Sequence, residues 1–279
     1  MSARRIAALL AVLALAAAAP AQAQFRLDLN RLVDTAKNIG KATGEIAEKE
    51  EIEIGSDMAA RLLGAAPLAA DEALQRYVNQ VGRWLASQTE RPDLPWKFGV
   101  LEAPQLNAFA TPGGNIFVTR GLVAQMNNEA ELAGVLAHEI VHVLKKHHLK
   151  AIQKTAQVEL ANTAVTTFAR QDRNTPAREK LLAAGSELYS RGLDKSDELE
   201  ADRLGVVIAA RGGYDAYGLP AVLQTLQAMN PEDSGLALMF KTHPAPAERL
   251  EALEKMQPTL DAYAAQKQLA ARFAGTARR

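Results

Sequence analysis

The chain contains no cysteine. That absence removes disulfides, thiolate metal sites, cysteine nucleophiles and a lipid anchor on an N-terminal cysteine. Aromatic residues are scarce, at 5% of 279. No repeat with a period of roughly 20 to 50 residues is visible, which excludes a solenoid. Neither sign of charge dominates, since 32 Lys and Arg stand against 32 Asp and Glu. A nucleic-acid-binding surface ordinarily shows a basic excess, so no nucleic acid is expected as a partner. Without disulfides the fold must rest on a hydrophobic core, and a chain of this length can bury one.

Long hydrophobic runs are also missing, with one exception at the start. Arg4 and Arg5 precede fourteen apolar residues, 6 to 19, and Ala21-Gln22-Ala23 follows. A positive start, a short apolar run and a small-x-small site describe a secretory signal peptide cleaved near Ala23. The run falls short of the ~20 residues that a membrane-spanning helix needs. No Phe-Leu follows the paired arginines, which favours the general export route over the twin-arginine route. Cleavage leaves 30 bases against 32 acids, a net charge of −2. The expectation is a periplasmic protein with no transmembrane segment in the mature chain.

The remaining sequence reads as α+β and mostly helical. Residues 25 to 70 show helical spacing of Leu27, Leu29, Leu32, Val33 and Ile39, with Gly55 and Gly64 as interruptions. A second helix fits Asp71 to Gln88, ended by Pro92 and Pro95. WKFGVLEA and NAFATPGGNIFVTRG then read as strands, with Pro112-Gly113-Gly114-Asn115 turning a hairpin. Helix follows Gly121 almost to the end. The stretch Gln171 to Arg178 reads as a mobile loop, and the last dozen residues as a frayed tail. The domain limits expected are a signal peptide at 1–23, an N-terminal helical segment at 24–50, one main domain at 51–257 and a C-terminal helix or tail at 258–279.

Chemistry is concentrated in AHEIVHVLKKHH, residues 137 to 148, which holds four of the five histidines. Asn128 and Glu131 form a capping pair that starts a helix just upstream. On that helix His138 and His142 lie one turn apart on one face, where two imidazoles can share an ion. Glu139, at the edge of that face, can hold a water without ligating. This is the H-E-x-x-H arrangement, whose chance occurrence in such a chain is about 1 in 200. The alternative, surface histidines on an exposed helix, is weakened by apolar Ile140, Val141, Val143 and Leu144.

A catalytic zinc site takes three protein ligands and leaves one position open. His148 is one candidate for the third. The glycine that breaks the helix in H-E-x-x-H-x-x-G-x-x-H families is Lys145 here. On an unbroken helix His148 points about 100° away from the pair. His147 and His148 therefore read as a solvated basic face with Lys145 and Lys146. The better candidate is Glu198 in SRGLDKSDELEADRLGV. Asp202, four residues on, shares its face and can accept a hydrogen bond from the free ring nitrogen of a ligating histidine. Glu200 faces the other way.

These segments, with NAFATPGGNIFVTRGLV, ELAGVLAHEIVHV and THPAPAERL, resemble the HtpX/Ste-twenty-four type of gluzincin metallopeptidase, and within it the soluble periplasmic BepA-like members. The resemblance runs over roughly residues 50 to 255. It implies a zincin-like fold with a small sheet or hairpin beside the H-E-x-x-H helix. It implies one zinc ion held by His138, His142 and Glu198, Glu139 as catalytic base, and Asp202 as support. The activity implied is endopeptidase cleavage of unfolded or misassembled envelope proteins. The alternative is a latent metal-binding chaperone. Outer-membrane assembly machinery is a further partner that the resemblance suggests. The tetratricopeptide repeats of the larger relatives are not found within these residues.

Three further expectations concern the surroundings. Asn107, Ala108 and Phe109 are expected to receive extended substrate by strand pairing. His243, before Pro244, either donates to an oxyanion or fills the open metal position and holds the enzyme latent. Arg191 either pairs with a carboxylate near the site or caps a helix.

Overall fold

In the computed structural model, residues 44–155, 192–230 and 235–277 are described. The signal-like segment, most of the N-terminal segment, Gln171 to Arg178 and Arg191 lie outside them. Helix α1 (Glu48–Ala65) and helix α2 (Glu72–Ala86) come first. Gly55 and Gly64 do not interrupt α1, contrary to the expectation from sequence. Gly55 instead lets the turn at Pro112 come close, since a Cβ there would lie 1.6 Å from the Pro112 carbonyl oxygen. Asp71 caps α2 by accepting from the Leu74 N–H at 3.0 Å.

Three strands follow, β1 (Lys97–Leu101), β2 (Ala108–Thr111) and β3 (Asn115–Thr119). The sheet order is β1-β3-β2. β2 and β3 form the expected antiparallel hairpin, with Phe109 opposite Phe117. β1 pairs with β3 in parallel, Gly99 opposite Phe117. The short helix α3 (Arg120–Gln125) leads into α4 (Glu129–Leu144), which carries the H-E-x-x-H residues. From residue 192 onward come α5 (Lys195–Arg211), α6 (Gly218–Gln227), α7 (Ala237–Thr242), α8 (Pro246–Glu254), α9 (Gln257–Ala262) and α10 (Ala270–Ala277).

α4 is the central element. Every residue from Glu129 to Val143 is buried. α5, α6, α2 and β2 pack around it. Its start is built as the sequence suggested, with a small shift. Asn128 Oδ1 accepts from the Glu131 N–H, while Glu131 reaches back to the N–H of Asn127, one residue before the cap. The α5 crossing is set by Gly205, where a Cβ would sit 2.9 Å from the His138 nitrogen. Backbone thus meets backbone beside the first histidine, which brings Glu198 and Asp202 within reach of it.

Two sequence expectations are overturned. Of the last dozen residues, those described, 268 to 277, are not a frayed tail. Phe273 on α10 is fully buried and meets the Tyr77 ring at 6.4 Å. Arg272 donates through Nε at 2.5 Å, and also through Nη2, to the buried Glu129 carboxylate at the start of α4. Tyr77 and Tyr214 donate to that carboxylate at 2.6 and 2.8 Å. A buried anion must be paired, and this one recruits α2, the segment after α5, and α10. Its partners sit too far along the chain for periodicity to show them.

The second correction concerns the end of α4. The helix does not continue through Lys145 and Lys146. Lys145 caps it, and Lys146 takes φ +57°, the left-handed region that a side chain occupies only at a cost of about 1 kcal/mol. Lys146 Nζ lies 3.5 Å from the buried Glu51 carboxylate, which also accepts from Arg91. The chain then turns into a helical stretch over 147–155, whose Leu149 and Ile152 cluster with Ile54 and Met58 of α1.

Replacing Phe273 with Ala should cost about 3 to 5 kcal/mol, because the ring fills a closed site. Urea unfolding measures this; a frayed tail would show no loss beyond about 0.5 kcal/mol. Gly205→Ala should cost about 1 to 3 kcal/mol by forcing α5 away from His138. An unchanged unfolding midpoint would contradict the close crossing.

Candidate metal centre

α4 presents His138, Glu139 and His142, all buried. The two Nε2 atoms lie 3.0 Å apart. α5 brings Glu198 to them, with Oε2 3.7 Å from His138 Nε2 and Oε1 3.5 Å from His142 Nε2. His243, at the end of α7, places its Nε2 3.7 Å from Glu198 Oε2. One ligand atom each from His138, Glu198 and His243 falls within 4.8 Å of the others. Four side chains from three helical segments therefore point at one small volume.

The donors fit a cation rather than one another. His138 Nδ1 lies 2.9 Å from the Asp202 carboxylate. That contact requires a proton on Nδ1, so Nε2 presents a lone pair. His243 Nδ1 lies 2.9 Å from the Thr242 hydroxyl, whose own oxygen also lies 3.2 Å from the Met239 carbonyl. If the hydroxyl donates to that carbonyl, it accepts from Nδ1, and the His243 Nε2 faces inward as a lone pair. Glu198 Oε2 is buried and has no hydrogen-bond partner among the described residues. A buried carboxylate oxygen aimed at imidazole lone pairs is costly unless something positive lies between them. Ligand atoms bonded tetrahedrally to zinc lie about 3.4 Å apart, and the observed separations bracket that value.

The electrostatics follow from burial. Burial pushes the Glu139 carboxyl up to about 8, opposed by the Arg249 guanidinium. Burial also raises Glu198 well above the usual carboxylate range, again opposed by Arg249. His138, His142 and His243 are all lowered, chiefly by burial, and so stay neutral. Asp202 goes the other way. Burial works against its charge, yet the Arg249 charge and hydrogen bonds hold it well below its usual value.

Arg249 is the residue that sequence reasoning missed. It is buried on α8 and donates Nε at 2.8 Å and Nη2 at 2.5 Å to the two Asp202 oxygens. Its Nη2 also comes within 3.3 Å of His138 Nδ1, but the closer carboxylate takes the Nδ1 proton. The signal was present in THPAPAERL, where Arg249 follows a Pro-Ala-Pro helix start. A lone arginine there looks like any surface cation until α8 is seen to pack on α5.

His147 and His148 do not form a solvated face. The break at Lys146 swings both back, with ring centroids 5.1 and 5.3 Å from that of His142. His148 lines the cleft with Glu139, Glu198 and His243, and burial lowers it to about 3. His147 is buried and pairs with Glu200 at 3.1 Å, so Glu200 also faces inward rather than away. Ala108 and Phe109 of β2 line the same cleft. Asn107 is fully buried, and its backbone is tied to Thr119 at 3.0 and 3.1 Å. Those bonds fix the chain at the entry to β2.

Comparison with known proteins places this arrangement. The model of Peptidase family M48 matches residues 72–257. The beta-barrel assembly-enhancing protease of Escherichia coli (strain K12) is 30% identical over 252 residues, which is 88% of this chain and 50% of that protein. Its namesake in Yersinia pestis is 31% identical over 224 residues, 78% of this chain and 46% of the relative. The mitochondrial metalloendopeptidase OMA1 of Schizosaccharomyces pombe is 30% identical over 184 residues, 65% of this chain and 52% of the relative. The chain spans about half the length of the curated relatives it matches. The family match runs from the first residue of α2 to the first of α9 and takes in every side chain of the convergence described above, and the chain belongs to peptidase family M48.

Proposed function

We propose that this chain is a zinc-dependent endopeptidase acting on unfolded or misassembled proteins of the cell envelope. The observation that carries the proposal is the meeting of His138, His142, Glu198 and His243 at one point with Glu139 beside it. Two imidazoles and a carboxylate without thiolate suit zinc. A zinc ion there supplies Lewis acidity, polarising a carbonyl oxygen and making water more acidic.

In this reading His138, His142 and Glu198 are the ligands. Glu139 takes a proton from the attacking water onto its carboxylate and returns it to the leaving amine nitrogen. Burial supports that role, since a carboxyl raised to about 8 is a stronger base than an exposed one. Asp202 and Arg249 keep the proton on His138 Nδ1 and so hold its Nε2 as a donor to the metal. Ala108 and Phe109 are assigned to substrate contact from their place on the cleft wall. We assign the peptidase domain to residues 51–257.

The setting is part of the same proposal. The export pattern in residues 1–23 supports a periplasmic location. No helix among the described residues is long and apolar enough to cross a membrane. The name carried by the bacterial relatives supports outer-membrane assembly machinery as a partner.

His243 favours a second reading, in which the resting protein is latent. Its ring is close enough to the other donors to complete a four-ligand set, 5.8 Å between centroids with His138. Structural zinc sites are closed in that way, whereas catalytic ones keep a position open.

Cleavage of unfolded casein by the zinc-loaded protein should stop on chelation and return with one equivalent of zinc. Glu139→Gln should lower kcat by about 10²- to 10⁴-fold at equal zinc content. Equal cleavage by that variant would remove Glu139 as the base. His243→Ala should raise cleavage if His243 closes the site. A fall in kcat would instead make it a donor to the reacting carbonyl.

A further inference from the structure

The two proposed histidine ligands on α4 are supported differently. His138 rests on a carboxylate that is itself pinned by an arginine. His142 has neither. Its Nδ1 lies 3.0 Å from the Nδ1 of another histidine, His147. An imidazole pair at that distance needs one donor and one acceptor, and the pair alone does not say which is which.

The far side of His147 bears on it. His147 Nε2 lies 3.1 Å from Glu200 Oε2, with Asp197 Oδ1 further off at 3.9 Å. A carboxylate only accepts, so Nε2 carries the proton. If His142 gives Nε2 to the metal, its one ring proton sits on Nδ1, and the atom placed 3.0 Å away to accept it is His147 Nδ1. His142 Nε2 is turned to His138 and Glu198. The chain of directions runs from a half-exposed glutamate on α5, through a fully buried histidine, to the ligand atom.

We propose that Glu200 and His147 form a relay that sets the tautomer and ring orientation of His142, and that His147 is a positioning residue for metal binding. The proposal rests on the metal site put forward above. The fold is built to make the relay possible. Lys146 adopts the left-handed conformation that returns His147 to α4. Glu200 lies two residues from Glu198 on the same helix, so one helix supplies both a ligand to the metal and the end of the relay. The opposite tautomer would put a proton on His142 Nε2 and remove it from the donor set. Loss of such outer partners typically lowers metal affinity 10- to 100-fold.

The test compares wild type with His147→Leu and His147→Asn. Leucine removes the acceptor, whereas the asparagine Oδ1 can stand where the imidazole Nδ1 stood. Nitrogen-15 NMR of the metal-free proteins reads the His142 tautomer directly. Competition against a chromophoric chelator reads zinc affinity, and thermal melts of the metal-free proteins check the fold. We expect wild type and His147→Asn to hold the His142 proton on Nδ1 and to bind zinc within about threefold of each other. His147→Leu should shift the proton toward Nε2 and bind zinc about 10- to 100-fold more weakly. A leucine variant with the same tautomer and zinc affinity within about twofold of wild type overturns the relay alone. A wild type that binds no zinc, whatever its tautomer, overturns the metal site and with it the relay's purpose.

Discussion

The constraint on which the rest depends is the complete burial of α4. A helix with no exposed face cannot leave a charged or polar side chain to water. Each one must find a partner inside the protein. Glu129 takes two tyrosines and Arg272. Glu131 takes Asn127 and Asn128. His138 takes Asp202, and His142 takes His147. The tertiary structure can be read as the set of elements that these partners bring to α4. The N-terminal end of the helix gathers α2 and α10, and its C-terminal half gathers α5, α8 and the helical stretch over 147–155.

The Asp202–Arg249 pair shows why such an arrangement points to function rather than to stability. Both groups are buried, and removing two charges from water costs several kcal/mol each. Well-packed apolar residues of similar size are often no less stable in that place. What an apolar pair cannot do is accept the Nδ1 proton of His138 and keep the carboxylate ionised while doing so. The guanidinium achieves the second task, which is why the Asp202 carboxyl lies below its usual range although burial acts against it. Glu198, with no comparable partner, is pushed the other way. The same burial thus meets opposite outcomes at two acids one helical turn apart, because the guanidinium binds one of them directly.

Local features were enough to read the helix of the H-E-x-x-H motif, its cap, the hairpin and the Glu198–Asp202 pair. Each depends on spacing within a few residues, which periodicity and turn chemistry report well. What stayed hidden depends on contacts across the chain. Arg249 and Arg272 look like ordinary surface cations until α8 and α10 are seen to pack inward. β1 pairs with β3 rather than with its neighbour in sequence. His147 and His148 point outward only if α4 continues past Lys145, whereas the outward reading of Glu200 rests on its spacing of two residues from Glu198 on α5. A non-glycine residue in the left-handed region carries no sequence signal, so the break could not be foreseen. Glycine at that turn would have announced it.

That break also explains the asymmetry of the two histidines. His138 lies mid-helix, beside the close crossing at Gly205, and its support is drawn from two other helices and sealed from solvent. His142 lies in the last turn, where α5 is still close at Glu198 but Asp202 has passed out of reach. A partner for its Nδ1 has to come from the chain that follows. A straight helix would carry positions 145 to 148 past the site. The left-handed residue at 146 reverses the direction within one step and delivers His147 to the ring. The same reversal places Lys146 against Glu51, so the buried acid of α1 helps hold the turn that holds the histidine. The conformational cost at Lys146, about 1 kcal/mol, is therefore tied to the orientation of one side chain, His142, one turn from the start of the motif.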